Sequence, residues 1–119
     1  MKILVCEDDE VVLKVIQVAL ENQPAETTYT KDGRQALDLL RSGHRFDLVI
    51  TDIHMPYHNG DEILTLIRED QKKNTPIIMI SSDTEEEVIT LALKSGVNEF
   101  IEKPLDPKKL NKLLKKFLV

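Results

Sequence analysis

The hydrophobic positions of this chain fall into short apolar runs that alternate with longer segments of helical period. Strands that are buried on both faces of a parallel sheet have near-continuous apolar sequences. Three runs of this kind are Lys2–Cys6, 47–51 and 77–80. Two weaker candidates, Glu26–Thr30 and 99–101, complete a set of five predicted strands.

Five further segments place apolar residues at helical spacing. They cover residues 10–22, 36–43, 61–70, 85–96 and 110–118. Signals for helix ends agree with these positions. Asp32-Gly33 marks a turn, Thr84 is a candidate N-cap before an acidic first turn, and Gly96 is a candidate C-cap.

The predicted elements form a strict alternation of five strand–helix units. Parallel strands joined by right-handed helical crossovers give a doubly wound sheet with helices on both faces. The pattern therefore predicts an α/β fold. A chain of 119 residues suits one compact domain, so we expect residues 1–119 to form a single domain.

Composition and charge narrow the functional classes. The net charge is −5, so we do not expect this domain to bind nucleic acid directly. The sequence has no apolar run long enough to span a membrane and no signal-peptide pattern at its start. The chain has a single cysteine, Cys6, which cannot form an internal disulfide, so we expect a cytoplasmic location. Cys6 ends an apolar run, so we expect it to be a buried core residue.

Positive charge is concentrated near the end of the chain, where residues 107–119 contain five lysines and no acid. One interpretation is a solvated helix face whose cations lie near the helix C-terminus, where the helix dipole favours them. The alternative is a docking surface for a partner protein.

Residues capable of chemistry follow four of the five predicted strands. In an open parallel sheet, ligands bind at the carboxyl ends of the strands. The residues at these ends are Glu7, Asp8, Asp9, Asp52, Ser81 and Lys103. Each alone has an ordinary interpretation as a helix cap or a turn residue. Their joint occurrence at one predicted edge of the sheet indicates a site.

This set of residues has the parts that phosphoryl transfer requires. Carboxylates at one edge repel one another, and a hard divalent cation with oxygen ligands relieves that repulsion. Mg²⁺ suits a site with few carboxylates because it keeps several waters and coordinates phosphate oxygens, and Mn²⁺ is a candidate substitute. Asp52 supplies a nucleophile, Lys103 a cation and Ser81 a hydroxyl donor.

The segments that carry these residues are ILVCEDD, DLVITDIHMP, PIIMISS and NEFIEKPLD. At these spacings they resemble the signature segments of response-regulator receiver domains, the CheY-like domains of two-component signalling. The resemblance extends from Lys2 to about Leu118. It implies a flavodoxin-like (βα)5 sheet with the strand order 2-1-3-4-5.

The resemblance also implies roles for individual residues. Asp52 corresponds to the phosphoacceptor and to a metal ligand. Asp8 corresponds to a direct Mg²⁺ ligand, and Glu7 to an acid that acts on the metal through water. The backbone carbonyl of His54 corresponds to the remaining protein ligand, and Lys103 to the lysine of the family's site.

Other positions correspond to the family's conformational switch. Ser81 matches the hydroxyl that moves toward the phosphoryl group, and Phe100 matches the aromatic switch position, although core packing alone also explains a phenylalanine there. Pro104 matches a proline that follows a cis peptide bond. Asp9 lies one position beyond the acidic pair, so we expect it to cap a helix.

Two residues flank the predicted site. His54 and Asp83 lie two positions beyond Asp52 and Ser81. Side chains at these positions could steer or block the water that hydrolyses an aspartyl phosphate, which would set the lifetime of the signal. The alternative interpretation is that both are ordinary exposed loop residues.

The function that the resemblance implies is phosphorelay signal transduction. A sensor histidine kinase or histidine phosphotransfer protein would donate a phosphoryl group to Asp52. The modified domain would then switch a surface formed by the fourth helix, the fifth strand and the fifth helix. That surface would contact a downstream effector, and it is a candidate for a phosphorylation-dependent homodimer.

Two other classes of protein fit less well. Hydrolases with an aspartyl-phosphate intermediate place the nucleophile after the first strand in an Asp-x-Asp arrangement and need a longer chain. A flavodoxin-like cofactor-binding module needs a glycine-rich phosphate loop after the first strand, where this chain has acids. The sequence is compatible with a stand-alone receiver and with one domain of a larger regulator or hybrid kinase.

Overall fold

The computed structural model describes residues 1–21, 23–54, 59–82 and 86–118. Five strands form one parallel sheet: β1 (Lys2–Cys6), β2 (Glu26–Thr30), β3 (Leu48–Asp52), β4 (Ile77–Ser81) and β5 (Glu99–Glu102). Their order across the sheet is β2-β1-β3-β4-β5. The predicted α/β fold and the order 2-1-3-4-5 are therefore confirmed.

Helices alternate with the strands as the sequence predicts: α1 (Glu10–Leu20), α2 (Gly33–Arg41), α3 (Gly60–Thr65), α4 (Glu86–Lys94) and α5 (Pro107–Phe117). Asp32 and Asp106 cap α2 and α5, because a side-chain oxygen of each accepts a backbone N–H in the first turn. Gly96 follows α4 with a φ of 110°, a left-handed conformation that favours glycine. The candidate N-cap Thr84 lies outside the described residues.

The sheet separates two apolar cores. Successive side chains of a strand point to opposite faces. Ile3 and Val5 of β1 therefore join the core beneath α1 and α5, whereas Leu4 and Cys6 join the core beneath α2, α3 and α4. Cys6 is fully buried, and this burial raises the pKa of its thiol to about 12. No helix in the described ranges is long and apolar enough to cross a membrane.

The third helix differs from the single helix predicted over residues 61–70. α3 is short, and the chain continues as a π-helical turn over Leu66–Asp70. Arg68 in this turn donates hydrogen bonds to the carbonyls of Thr75, at 2.7 Å, and Gly96, at 3.0 Å. These carbonyls lie before β4 and after α4, so one guanidinium group joins both segments at the amino end of the sheet.

Three strands, β3, β4 and β5, extend one residue beyond their predicted ends, and two of the added residues belong to the predicted site. β3 includes Asp52 and β4 includes Ser81, so both residues are held by the hydrogen bonds of the sheet. A residue held in a strand has less freedom than one in a loop. This placement gives the carboxyl edge of the sheet a fixed geometry.

Candidate functional site

Three acids converge at the carboxyl edge of the sheet. β1 and β3 are neighbours in parallel register, so the residues that end these strands lie side by side. One carboxylate oxygen from each of Glu7, Asp8 and Asp52 lies within 4.8 Å of the other two. Glu7 and Asp52 are buried, with exposed fractions of 0% and 3%, whereas Asp8 is exposed. The group thus opens to solvent on one side.

Lys103 follows β5 and reaches back to this acidic group. Its Nζ atom lies 2.6 Å from Oδ2 of Asp52 and 3.2 Å from Oε1 of Glu7. Burial lowers the pKa of Lys103, but its hydrogen bonds and charge interactions with the two acids outweigh this effect, so its pKa lies above the usual value. The lysine therefore stays charged at neutral pH.

Glu7 is the acid whose environment is most unusual. Its Oε1 atom accepts hydrogen bonds from the backbone N–H of Asp9, at 3.0 Å, and from Lys103. Its Oε2 atom is buried and has no hydrogen-bond partner within the described part of the chain. Burial, together with the nearby charge of Asp52, raises the pKa of Glu7 to about 7.

These observations fit a divalent cation. A buried carboxylate oxygen without a partner is costly unless a donor or a cation compensates it. When the three carboxylates and Lys103 are all ionised, their formal charges sum to −2, which one divalent cation balances. Oxygen ligands in this arrangement match the preference of Mg²⁺. The donor set therefore fits the predicted metal.

Asp9 plays a different part from the two acids before it. Its side chain accepts hydrogen bonds from the backbone N–H groups of Val11, at 2.9 Å, and Val12, at 3.3 Å. It is the N-cap of α1, as predicted. Of the three acids after β1, two therefore lie at the site and the third caps the helix.

Three further residues predicted for the site are His54, Ser81 and Asp83. The backbone N–H of His54 donates to Oδ1 of Asp52 at 3.1 Å, and the His54 side chain is exposed. Ser81 is fully buried at the end of β4, and its carbonyl accepts a hydrogen bond from the Lys103 N–H at 2.8 Å. Asp83 lies outside the described residues.

Two predicted residues belong to β5 and its exit. Phe100 is half-buried, pairs with Met79 of β4 in the sheet register, and packs against the core beneath α4. Core packing, the alternative interpretation of this residue, therefore describes its contacts here. The Lys103–Pro104 peptide bond is cis, the form that the family resemblance implies.

Gly60 is a residue of the site that sequence reasoning missed. Its N–H donates to the carbonyl of Ile53 at 2.9 Å, which closes the chain back onto the end of β3. A Cβ atom on Gly60 would overlap the carbonyl oxygen of Asp52 and lie 3.1 Å from Cα of Ile53. Only glycine fits this approach, and nothing in the local sequence identifies the contact.

The fold and this edge together define a class of protein. Residues 3–115 match the response regulator receiver domain family, and the chain belongs to that family. Receiver domains are signalling domains of two-component systems, so the general role of this chain is in phosphorelay signalling. The family resemblance seen in the sequence is thereby confirmed.

Particular relatives support this assignment. The chain is 34% identical over 109 residues to the DNA-binding response regulator MtrA of Mycobacterium leprae, a match that covers 92% of this chain and 47% of that protein. It is 36% identical over 121 residues to hybrid signal transduction histidine kinase M of Dictyostelium discoideum, covering 98% of this chain and 5% of that protein. The chain thus spans about half or less of the length of these relatives.

Solved structures agree with the sequence matches. The receiver domain of Francisella response regulator 1452 superposes with a TM-score of 0.87 at 31% identity, covering 98% of this chain and 95% of that one. The chemotaxis response regulator CheY4 of Vibrio cholerae gives a TM-score of 0.84 at 30% identity, with 98% of each chain covered. Each superposition therefore covers nearly the whole of this chain.

Proposed function

We propose that Asp52 accepts a phosphoryl group from a phosphohistidine on a sensor histidine kinase or a histidine phosphotransfer protein. A carboxylate oxygen of Asp52 attacks phosphorus in line, a P–O bond forms, the P–N bond of the phosphohistidine breaks, and the imidazole leaves. Hydrolysis of the acyl phosphate returns the aspartate and inorganic phosphate. The observation that carries this proposal is the contact of Asp52 with both Lys103 and the acidic pair.

Charge explains how the residues divide this work. The incoming phosphoryl group is anionic, and an uncompensated acidic edge would repel it. Glu7, Asp8, Asp52 and the backbone carbonyl of His54 are the proposed ligands for Mg²⁺, or Mn²⁺ in its place. When bound, the metal supplies charge neutralisation for the transferred group. Lys103 holds the carboxylate of Asp52 in place, and its ammonium group can pair with a phosphoryl oxygen.

The proposal predicts that phosphorylation requires a divalent cation. The intact mass of the chain after incubation with acetyl phosphate and Mg²⁺ should increase by one phosphoryl group, and addition of EDTA should prevent the increase. Ca²⁺ serves as a control of equal charge, because it prefers more ligands at longer distances and should support the reaction poorly. Equal uptake with and without EDTA would contradict the proposed metal dependence.

Gly60 provides a test of how tightly the site is positioned. We expect Gly60→Ala to slow phosphoryl uptake at least about tenfold, because the added Cβ pushes on the Asp52 backbone and small displacements of a reacting group are costly. Gly43→Ala is the control, since nothing lies within 4 Å of its Cβ position; its φ of 90° makes alanine strained there, so it tests the effect of a general loss of stability on phosphoryl uptake. Phosphoryl uptake at the wild-type rate by a folded Gly60→Ala protein would show that Gly60 does not position Asp52.

The proposed switch begins at Ser81 and Phe100. The phosphoryl group would draw the Ser81 hydroxyl inward, and Phe100 would turn into the space released. α4 can respond to this change because it packs loosely: Ala92 is its one buried residue within the described range, and Leu91 and Leu93 are exposed. The surface of α4, β5 and α5 would then contact an effector protein or domain.

The same surface is our candidate for a phosphorylation-dependent homodimer. Lys116 of α5 pairs with Glu99 of β5 at 2.7 Å, so charges of both signs lie on this face. Sedimentation with beryllofluoride, a phosphoryl mimic, should show an increase in mass that is absent without it. A mass that does not respond to beryllofluoride would count against this dimer.

Several finer features belong to the same proposal. The side chains of His54 and Asp83 would set the phosphoryl lifetime. The chain would act in the cytoplasm as one receiver domain over residues 1–119, with no direct contact to nucleic acid or membrane. Its only catalysis would be its own phosphorylation and dephosphorylation.

A further inference from the structure

Thr51 is a threonine in β3, at the position immediately before Asp52. It is fully buried, and the three residues before it in the strand are apolar. A hydroxyl group in such surroundings is costly unless it forms a hydrogen bond. The Oγ1 atom of Thr51 donates to the backbone carbonyl of Asp52 at 2.9 Å. The chemistry proposed above makes no use of this contact with the phosphoacceptor.

The Asp52 carbonyl lies where the sheet no longer supplies a donor. The N–H of Ile53 donates to the carbonyl of Ile80 in β4 at 3.0 Å. The Asp52 carbonyl and the Ile53 N–H belong to one trans peptide unit and point in opposite directions, so this carbonyl faces β1. The register of β1 with β3 ends at the pair Cys6–Thr51, one residue before Asp52. The hydroxyl of Thr51 therefore takes the place of a strand donor.

The same carbonyl oxygen contacts the start of α3. Gly60 lies so close to it that a Cβ atom at this position would overlap the oxygen. The Gly60 N–H donates to the next carbonyl, that of Ile53, at 2.9 Å. The peptide unit between Asp52 and Ile53 is thus held by a hydroxyl group, by the backbone of a glycine and by a strand hydrogen bond.

The orientation of this peptide unit sets the path of the chain toward His54. The N–H of His54 donates to Oδ1 of Asp52 at 3.1 Å, and its carbonyl is a proposed metal ligand. A rotation of the peptide unit would move this N–H away from the carboxylate and turn the His54 carbonyl. Two proposed ligands, the Asp52 carboxylate and the His54 carbonyl, therefore depend on one peptide plane.

We propose that Thr51 is a positioning residue whose hydroxyl holds this peptide unit so that the Asp52 carboxylate and the His54 carbonyl face one divalent cation. The inference rests on the proposed function, and it adds a group that touches neither the metal nor the phosphoryl group. Loss of a group that orients metal ligands typically lowers metal affinity or activity by about 10- to 100-fold. Thr51 acts through the backbone, so we expect effects near the lower end of this range.

Two substitutions separate the hydroxyl from the rest of the side chain. Thr51→Val keeps the shape and removes the donor, whereas Thr51→Ser keeps the donor and removes a buried methyl group. Thr51→Val should weaken binding of Mg²⁺ alone, followed by backbone amide NMR shifts, at least about fivefold, and slow phosphoryl uptake from acetyl phosphate about tenfold. Thr51→Ser should stay within about twofold of the wild type in both measurements, although the lost methyl group lowers its Tm.

Thr30→Val is the matched control. Thr30 is also buried, lies on the other side of Cys6 in the same row of the sheet, and donates its hydroxyl to the carbonyl of Val5 at 3.1 Å. The substitution removes a comparable hydrogen bond away from Asp52. It keeps the Thr30 backbone carbonyl, which accepts the N–H of Glu7 at 3.0 Å. Binding of Mg²⁺ and phosphoryl uptake should therefore match the wild type.

Mg²⁺ binding by these three variants decides the proposal. Wild-type affinity in Thr51→Val would overturn it, and so would a loss in Thr51→Ser or Thr30→Val as large as that in Thr51→Val. A wild-type chain that binds Mg²⁺ but gains no phosphoryl mass would contradict the proposed function, while the binding data would still decide the role of Thr51. A wild-type chain that binds no Mg²⁺ would overturn the positioning role.

Discussion

Asp52→Asn should abolish phosphoryl uptake, with a loss of at least about a thousandfold, because an amide cannot supply the attacking oxygen. Asparagine has nearly the same shape as aspartate, and its side-chain oxygen can still accept a hydrogen bond from Lys103. The fold should therefore remain intact. The measurement is the rate at which the chain gains one phosphoryl mass with acetyl phosphate and Mg²⁺.

The control for this substitution is Asp8→Asn. Asp8 is exposed at the same acidic group but is not the proposed nucleophile. We expect Asp8→Asn to weaken the metal site and slow uptake, and we expect excess Mg²⁺ to restore part of the rate. Asp52→Asn should not respond to excess Mg²⁺. Phosphoryl uptake by Asp52→Asn at a rate near that of the wild type would show that another residue is the acceptor.

Glu7 should make the stability of the metal-free protein depend on pH. The pKa of Glu7 is raised from 4.5 to about 7 in the folded chain, chiefly by burial. Between these two pH values the folded state therefore holds a proton that the unfolded state has released. The contribution of Glu7 to stability is then fully present below pH 4.5 and is lost as pH rises through about 7. A shift of this size corresponds to roughly 3 kcal/mol in the free energy of unfolding.

Glu7→Gln isolates this effect. Glutamine resembles the protonated acid, so at pH 8 the metal-free variant should be more stable than the wild type by on the order of 1–3 kcal/mol, and the difference should vanish near pH 4. Denaturant unfolding in EDTA across this pH range measures it. Addition of Mg²⁺ should stabilise the wild type more than the variant, since the metal replaces the proton on Glu7.

Glu10→Gln is the matched control, because Glu10 is exposed and lies outside the acidic group. Its free energy of unfolding should follow that of the wild type across the same pH range, apart from a small constant offset. If the curves of Glu7→Gln and Glu10→Gln coincide, the proton on Glu7 is not linked to folding.

The sequence predicts most of this fold because each strand–helix unit repeats the same pattern, an apolar run followed by a segment of helical period. Apolar runs that end in polar residues mark buried parallel strands, and the family resemblance supplies their order. Glu7, Asp8 and Asp52 could be assigned to one site because all three lie at the carboxyl ends of strands, and these ends share one edge of the sheet. The same reasoning places Lys103 at this edge, because Lys103 directly follows β5.

Other features depend on contacts that no local pattern contains. The need for glycine at position 60 comes from the carbonyl of Asp52, eight residues earlier in the chain. The π-helical turn that follows α3 contains Arg68, whose hydrogen-bond partners lie before β4 and after α4. The exposure of Val11 and Val18 on α1 was missed for a different reason. A helix with two apolar faces reads as one broad face, and only the burial of each side chain separates them.

Chemical trapping of the phosphorylated residue tests the role of Asp52 most directly. Borohydride reduces an aspartyl phosphate to homoserine, and peptide mapping then locates the changed residue. After treatment with acetyl phosphate and Mg²⁺, we predict homoserine at position 52 and unchanged residues at positions 7 and 8. Homoserine elsewhere, or a phosphoryl mass that resists reduction, would contradict the assignment of Asp52 as the acceptor.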